Sequence, residues 1–220
     1  RDVGAGCCWQ EGSVKVHLIG MGGIGMSGIA QLLLSQGDRV SGSDIQPSAL
    51  LKKIEAQGGQ VRIGHSSAHL DHPDLVVFSS SIAPENPELV AARNRGIPVL
   101  HRGQMVARLA AGRRLIAVTG AHGKSTTTGL IAQLLIEAGE DPLVLLGAEA
   151  QSFRSNARFG RGRFAVIEAD ESDGSLLWLK PHIVILTNLD DEHLDYFRNR
   201  WEIEETYRQF VDRLQPGGML

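Results

Sequence analysis

"VTGAHGKSTTTGL", residues 118–130, follows the apolar run "LIAVTG" (115–120) and precedes a helical pattern. It departs from the standard G-x-x-x-x-G-K-[ST] loop because position 118 is Val, so the pattern left is G-x-x-G-K-S-T from Gly120. The chemistry survives the shorter spacing. The backbone over Gly120, Ala121, His122 and Gly123 can cradle phosphates, with Thr126 just beyond; Lys124 can reach the β- and γ-phosphates, and Ser125 can ligate Mg2+. A strand before and a helix after favour nucleoside triphosphate binding over the plain alternative, an exposed lysine at a helix start. Leu130, Ile131, Leu134 and Leu135 are expected to line one face of that helix, which Gly139 ends.

A second glycine loop lies upstream. In "HLIGMGGIGMSGIA" (17–30), Gly20, Gly22 and Gly25 satisfy G-x-G-x-x-G after the strand-like "VKVHLI" (14–19). Ile29, Leu32 and Leu33 line the helix that follows, which stops at Gly37. Such a loop brings backbone N–H groups and a helix N-terminus against a diphosphate. Asp44, at the end of the next strand, can accept hydrogen bonds from a ribose. The fingerprint alone leaves open NAD, a UDP-sugar or a merely structural turn. Ser79, Ser80 and Ser81 follow the run at 75–78, at a carboxyl edge where ligands bind and where hydroxyls also serve as plain caps.

Further short apolar runs, "RVSG" (39–42), "IPVL" (97–100), "PLVLLG" (142–147), "FAVIEA" (164–169) and "HIVILTN" (182–188), alternate with helical patterns. This reads as βαβ units in parallel sheets. We expect two nucleotide-fold α/β units in tandem: a tail over 1–13, one unit over 14–107, and another over 108–220 that runs past the end of the sequence. At "LQPGGML" a helix, a turn and two apolar residues look like the start of a further strand.

Two acidic segments sit at strand ends in the second unit. "VIEADESDGS" (166–175) places Glu168 and Asp170 where a carboxylate reaches the metal of a nucleotide site, with a solvated acidic loop as the plainer alternative. "LTNLDDEHLDYF" (186–197) adds His193 among carboxylates, a candidate for metal or phosphate whose bland reading is a structural histidine.

Composition narrows the class. The 220 residues are 42% hydrophobic and carry a formal charge of −3, with acids and bases mixed along the chain. That gives no electrostatic footprint for nucleic acid or an anionic membrane. Cys7 and Cys8 are adjacent and too close for an unstrained mutual bridge, which favours a reducing, cytoplasmic setting. No apolar run approaches membrane-spanning length.

Six ordered stretches, "HLIGMGGIGMSGIA", "SGSD" (41–44), "HRGQM" (101–105), "VTGAHGKSTTT" (118–128), "EADESDGS" (168–175) and "TNLDDEHLDY" (187–196), together resemble the Mur ligases, in particular the branch that joins L-alanine to UDP-N-acetylmuramate. The resemblance implies a Rossmann-like UDP-sugar domain, followed by a P-loop ATPase α/β domain that is only partial here. One loop would then hold UDP-N-acetylmuramate and the other ATP. It further implies Lys124 on the transferring phosphoryl group, Ser125 and Glu168 on Mg2+, and His193 on a second Mg2+. Gly22, Gly23, Ile24 and Gly25 would meet the diphosphate, Asp44 and His65 the uridine, with Ser79 and Ser80 nearby. His101 and Arg102 would lead toward the sugar, although an interdomain ion pair is the competing role for Arg102. The chain departs from the family pattern at Ala121, usually Thr, and at Glu192, usually Asp. A non-catalytic nucleotide-binding module and an NAD-dependent oxidoreductase with an incidental G-K-S are the competing classes.

Overall fold

The computed structural model describes residues 12–151, 153–171, 173–190 and 200–220. The first sheet comprises β1 (Lys15–Ile19), β2 (Arg39–Asp44), β3 (Gln60–Ile63), β4 (Leu75–Phe78) and β5 (Val99–His101), in the order β3-β2-β1-β4-β5. All its pairings are parallel. Helices α1 (Ile24–Gln36), α2 (Ala49–Ala56), α3 (Pro87–Asn94) and α4 (Arg102–Leu109) belong with it. The chain leaves β1 toward β2 and later crosses back to β4, so the switch point lies between β1 and β4. The first glycine loop and Ser79 sit at that crevice, where open α/β sheets bind ligands.

The second sheet contains β6 (Arg114–Thr119), β7 (Leu143–Ala150), β8 (Ser155–Arg158), β9 (Phe164–Glu168) and β10 (Ile183–Leu186), ordered β10-β6-β9-β7-β8. Its pairings are parallel except for β8 against β7. Helices α5 (Lys124–Glu137) and α6 (Arg200–Val211) complete the α/β fold. Met219 makes a parallel bridge to Ile183 beyond β10, as a strand start at "GGML" implies. Among the described residues no helix is long and apolar enough to cross a membrane.

Three features differ from the sequence reading. Strands β3 and β8 have no apolar run to announce them: both are edge strands, "QVRI" largely exposed and "SNAR" polar. The apolar face expected on α5 is turned partly outward, with Leu130 62% and Leu134 69% exposed. The side of α5 that packs on β7 and β9 is built instead on buried Thr128 and Ala132, with Ile131 and Leu135 half-buried. A helix apolar on several sides does not reveal by periodicity which side is inward.

Helix α1 packs against both sheets. Met26, Ile29, Leu32 and Leu33 are buried in a core that continues to Leu145 and Ala157 of the second sheet. Gly28 permits this approach, since a Cβ there would lie 2.4 Å from Leu145 Cδ1. A buried polar seam crosses the same contact. Gln31 Nε2 donates to Asn156 Oδ1 at 2.8 Å, Ser155 Oγ donates to Gln31 Oε1 at 2.9 Å, and Asn156 Nδ2 donates to the Ile24 carbonyl at 2.5 Å. Removing one member strands its buried partners, at about 1–3 kcal/mol. Asn156→Ala is therefore expected to lower the unfolding free energy by roughly that amount in urea titration, and an unchanged midpoint and slope would show that the seam contributes nothing.

Candidate functional site

Each glycine loop is held from the strand beside the one it follows, β2 beside β1 and β10 beside β6. In the first, Gly20 and Met21 N–H both donate to the Ser43 carbonyl of β2, and Gly23 N–H returns to the Gly20 carbonyl. No side chain caps α1, so the N–H groups of Ile24 and Gly25 face forward as a helix N-terminus suited to an anion. Asp44 sits at the end of β2 as expected, but its Oδ2 accepts the Gly22 N–H at 2.8 Å and braces the loop. Ser79 accepts the Ser81 N–H and lies against Gly20. His65 follows β3, its Nδ1 3.0 Å from Ser43 Oγ.

At the β5–α4 junction the backbone N–H of Gly103 donates to His101 Nδ1 at 3.2 Å, while Gln104 Oε1 accepts the His101 backbone N–H at 2.8 Å. This box caps α4 and leaves the proton on His101 Nε2, which donates to Ser80 Oγ at 3.0 Å. Ser80 in turn donates to Asp173 Oδ2. Arg102 donates to the same oxygen from Nε and Nη2, both at 2.6 Å. Burial opposes ionisation of Asp173, but Arg102, the Ser175 N–H and Ser80 outweigh it and lower its pKa to about 2. Burial also lowers the His101 pKa, with Asp173 and Arg102 pulling in opposite directions. Arg102 Nη1 stands so close to the first loop that a Cβ on Gly25 would meet it at 2.9 Å. Arg102 thus both lies beside the diphosphate candidates and forms an ion pair with the second unit.

The second loop is pinned from β10. Ala121 N–H donates to the Asn188 carbonyl, His122 N–H to Asn188 Oδ1, and Thr187 Oγ1 and Asn188 Nδ2 to the His122 carbonyl. Gly120 has φ +123°, and a Cβ there would lie 2.3 Å from Thr187 Oγ1, so both conformation and space require glycine. Gly123, the N-cap of α5, offers no side-chain cap, and Ser125 and Thr126 lie in the first turn. Lys124 Nζ folds back onto the Gly120 and Ala121 carbonyls at 2.7 and 3.2 Å and onto Glu171 Oε1 at 3.1 Å. Glu171 is buried, and burial raises its pKa despite Lys124. Exposed His122 pairs loosely with Asp190 at 3.6 Å.

Glu168 ends β9, and its Oε2 accepts the Gly147 N–H at 2.8 Å. It shares a cavity with Ile24, Gly25, Arg102, Gly147 and Asp170, so residues of the two loops' surroundings converge there. The cavity measures about 70 Å3, space for roughly two waters and far less than a nucleotide sugar needs. Among the described residues no group of three or more His, Cys, Asp or Glu side chains is arranged to hold a metal. His193 and Glu192 lie outside the described residues, as do Cys7 and Cys8. The sequence reading did not single out Glu171 and Asp173 as partners of Lys124 and Arg102; the density of carboxylates in "EADESDGS" was the available signal.

Comparison with known proteins identifies the family. The family model described as Mur ligase family, catalytic domain, matches residues 15–114, and that of the Mur ligase middle domain matches 118–220. A UDP-N-acetylmuramate–L-alanine ligase from Aquifex aeolicus is 48% identical over 203 residues, 92% of this chain and 45% of that protein. The crystal structure of a UDP-N-acetylmuramate:L-alanyl-γ-D-glutamyl-meso-diaminopimelate ligase from Neisseria meningitides has a TM-score of 0.88 at 28% identity, covering 94% of this chain and 71% of that one. UDP-N-acetylmuramate-alanine ligase MurC from Thermotoga maritima has a TM-score of 0.81 at 30% identity, covering 91% and 47%. The chain belongs to the Mur ligase family, and it spans about half the length of the curated relatives it matches.

The Asp173 clasp has a pH signature. Its pKa lies near 2 against an ordinary 3.8, so it adds about 2 kcal/mol above pH 4 that is lost as pH falls through the folded value. Unfolding free energy measured from pH 6 to pH 2 should fall less steeply in Asp173→Asn than in the wild type. Parallel curves would remove the clasp from the acid limb.

Proposed function

We propose that this chain is the UDP-sugar-binding and ATP-binding part of an ATP-dependent ligase that joins L-alanine to the lactyl carboxylate of UDP-N-acetylmuramate, a cytoplasmic step of peptidoglycan precursor synthesis. The observation that carries the reading is the presence of two anion-binding loops, each at its own sheet, with Ile24 and Gly25 of the first lining a cavity together with Arg102 and Glu168. The names and similarity of the matched ligases support the substrate choice. Residues 14–107 then form the sugar unit and 108–220 the ATP unit, after a tail over 1–13.

In this reading the Ile24 and Gly25 N–H groups and Arg102 receive the diphosphate, while Gly22 and Gly23 shape the turn. Asp44 and His65 lie on the uridine side, and Ser79, Ser80 and His101 near the sugar. The loop from Gly120 to Thr126 cradles the ATP phosphates. Hydroxyl and carboxylate oxygens from Ser125 and Glu168 suit a hard cation such as Mg2+, which neutralises phosphate charge when bound; His193 is proposed as a further ligand. The γ-phosphoryl group passes from ATP to the lactyl carboxylate, releasing ADP. The alanine amine then attacks the acyl phosphate carbon, and amide forms as phosphate leaves. Lys124 serves the transfer by exchanging Glu171 for the γ-phosphate, where its charge offsets that which develops in the transition state. Arg102 likewise exchanges Asp173 for ligand, and the small cavity must widen as it does so.

Lys124→Ala in the full-length enzyme is expected to abolish alanine-dependent phosphate release while leaving UDP-N-acetylmuramate affinity within about threefold. Loss of both in a folded variant would contradict separate sites. Glu168→Gln should reduce ATP turnover at least tenfold and raise the Mg2+ concentration needed for half-maximal rate. Wild-type turnover in that variant would take Glu168 out of the metal shell.

A further inference from the structure

Glu88, in the first turn of α3, is a buried carboxylate that the proposed chemistry does not use. Its oxygens are saturated by donors. Oε2 accepts the Ser43 hydroxyl at 2.5 Å and lies 3.3 Å from His17 Nε2; Oε1 accepts the Ser66 N–H at 3.0 Å and His69 Nδ1 at 2.8 Å. An ionised carboxylate offers about four lone-pair positions and no proton. Burial opposes its ionisation, but these hydrogen bonds outweigh burial and hold its pKa near 2.

This network dictates the state of a neighbouring ring. The Ser43 hydroxyl has one proton, and Glu88 takes it. Ser43 Oγ can then only accept from His65 Nδ1, 3.0 Å away. His65 therefore carries its proton on Nδ1, and in the neutral ring Nε2 is a bare lone pair. Nε2 has no protein partner among the described residues and is not a buried orphan, so it opens to solvent.

The location gives that lone pair a use. His65 stands just past β3, where Gly64 N–H donates to the Asp44 carbonyl at 2.8 Å. In a doubly wound sheet the diphosphate rests on the β1–α1 loop, the ribose meets the acid ending β2, and the base extends beyond it toward β3. Uracil presents an imide N3–H between two carbonyls, whereas cytosine presents a bare N3.

We infer that Glu88, acting through Ser43, is a positioning residue that fixes His65 as an acceptor and so selects a base bearing an imide N–H over cytosine. This rests on the reading of the first unit as a nucleotide-sugar site. Glu88 does not touch the ligand. An acceptor facing uracil N3–H gains a hydrogen bond, and the same acceptor facing cytosine N3 meets like charge, so discrimination of roughly tenfold or more is expected.

Two readouts on the 220-residue chain test it. Long-range 1H–15N correlation spectra of the histidine rings at pH 8 should show His65 protonated at Nδ1 and bare at Nε2. Ser43→Ala and Glu88→Gln should mix the tautomers. Calorimetric titration with uridine diphosphate and cytidine diphosphate should show about tenfold or greater preference for the uridine form, falling to within about threefold in Ser43→Ala. The wild-type spectrum needs no variant to fold. Uridine diphosphate binding with the proton on Nε2, or selectivity unchanged in a folded Ser43→Ala chain, would overturn the inference alone. Absence of any uridine diphosphate binding beside an Nδ1-protonated ring would overturn the nucleotide-sugar reading and base selection with it.

Discussion

Lys124 and Arg102, the cations of the two loops' surroundings, are both neutralised by one short segment. Glu171 takes the first and Asp173 the second, two residues apart after β9. A cation half-withdrawn from water needs an anion or a ring of acceptors, and this segment provides carboxylates where phosphate-bearing ligands would bring charge. The two ion pairs therefore sit two residues apart on one stretch of chain. The same segment begins at Glu168, so the metal candidate and the carboxylates that pair with Lys124 and Arg102 share one stretch of backbone.

The rest of the architecture keeps that stretch in place. Helix α1 presents its N-terminus to the cleft and its flank to the second sheet, with Gly28 allowing close approach and Gln31, Ser155 and Asn156 fixing the register. Apolar packing alone would permit sliding. A hydrogen-bonded seam buried within it does not, because each displaced member loses a partner where water cannot replace it. The resulting contact leaves only about 70 Å3 in the cleft.

Much of this was legible in the sequence. Strand, glycine loop and helix recur twice in "VKVHLI…GMGGIG" and "LIAVTGAHGKS", and both structures follow because turn chemistry and periodicity agree locally. The order of six motifs led to the family. What stayed hidden depends on distant partners. Strand β8 is polar because Ser155 and Asn156 bond across to α1, and β3 is an exposed edge; neither leaves an apolar run. The inward side of α5 rests on Thr128 and Ala132, a choice made by the sheet beneath it. Asp173 reads as one acid among several until Arg102, 71 positions away, is brought to it. Glu88 reads as an ordinary helix-start carboxylate until three histidines surround it.

If the two anion-binding loops of one chain take different ligands, the first takes a UDP-sugar. Calorimetric titration of the 220-residue chain with UDP-N-acetylmuramate, with NAD as the control, tests it most directly. Saturable binding of the UDP-sugar and none of NAD are expected. Binding of NAD, or no UDP-sugar binding by a chain shown to be folded, would contradict it.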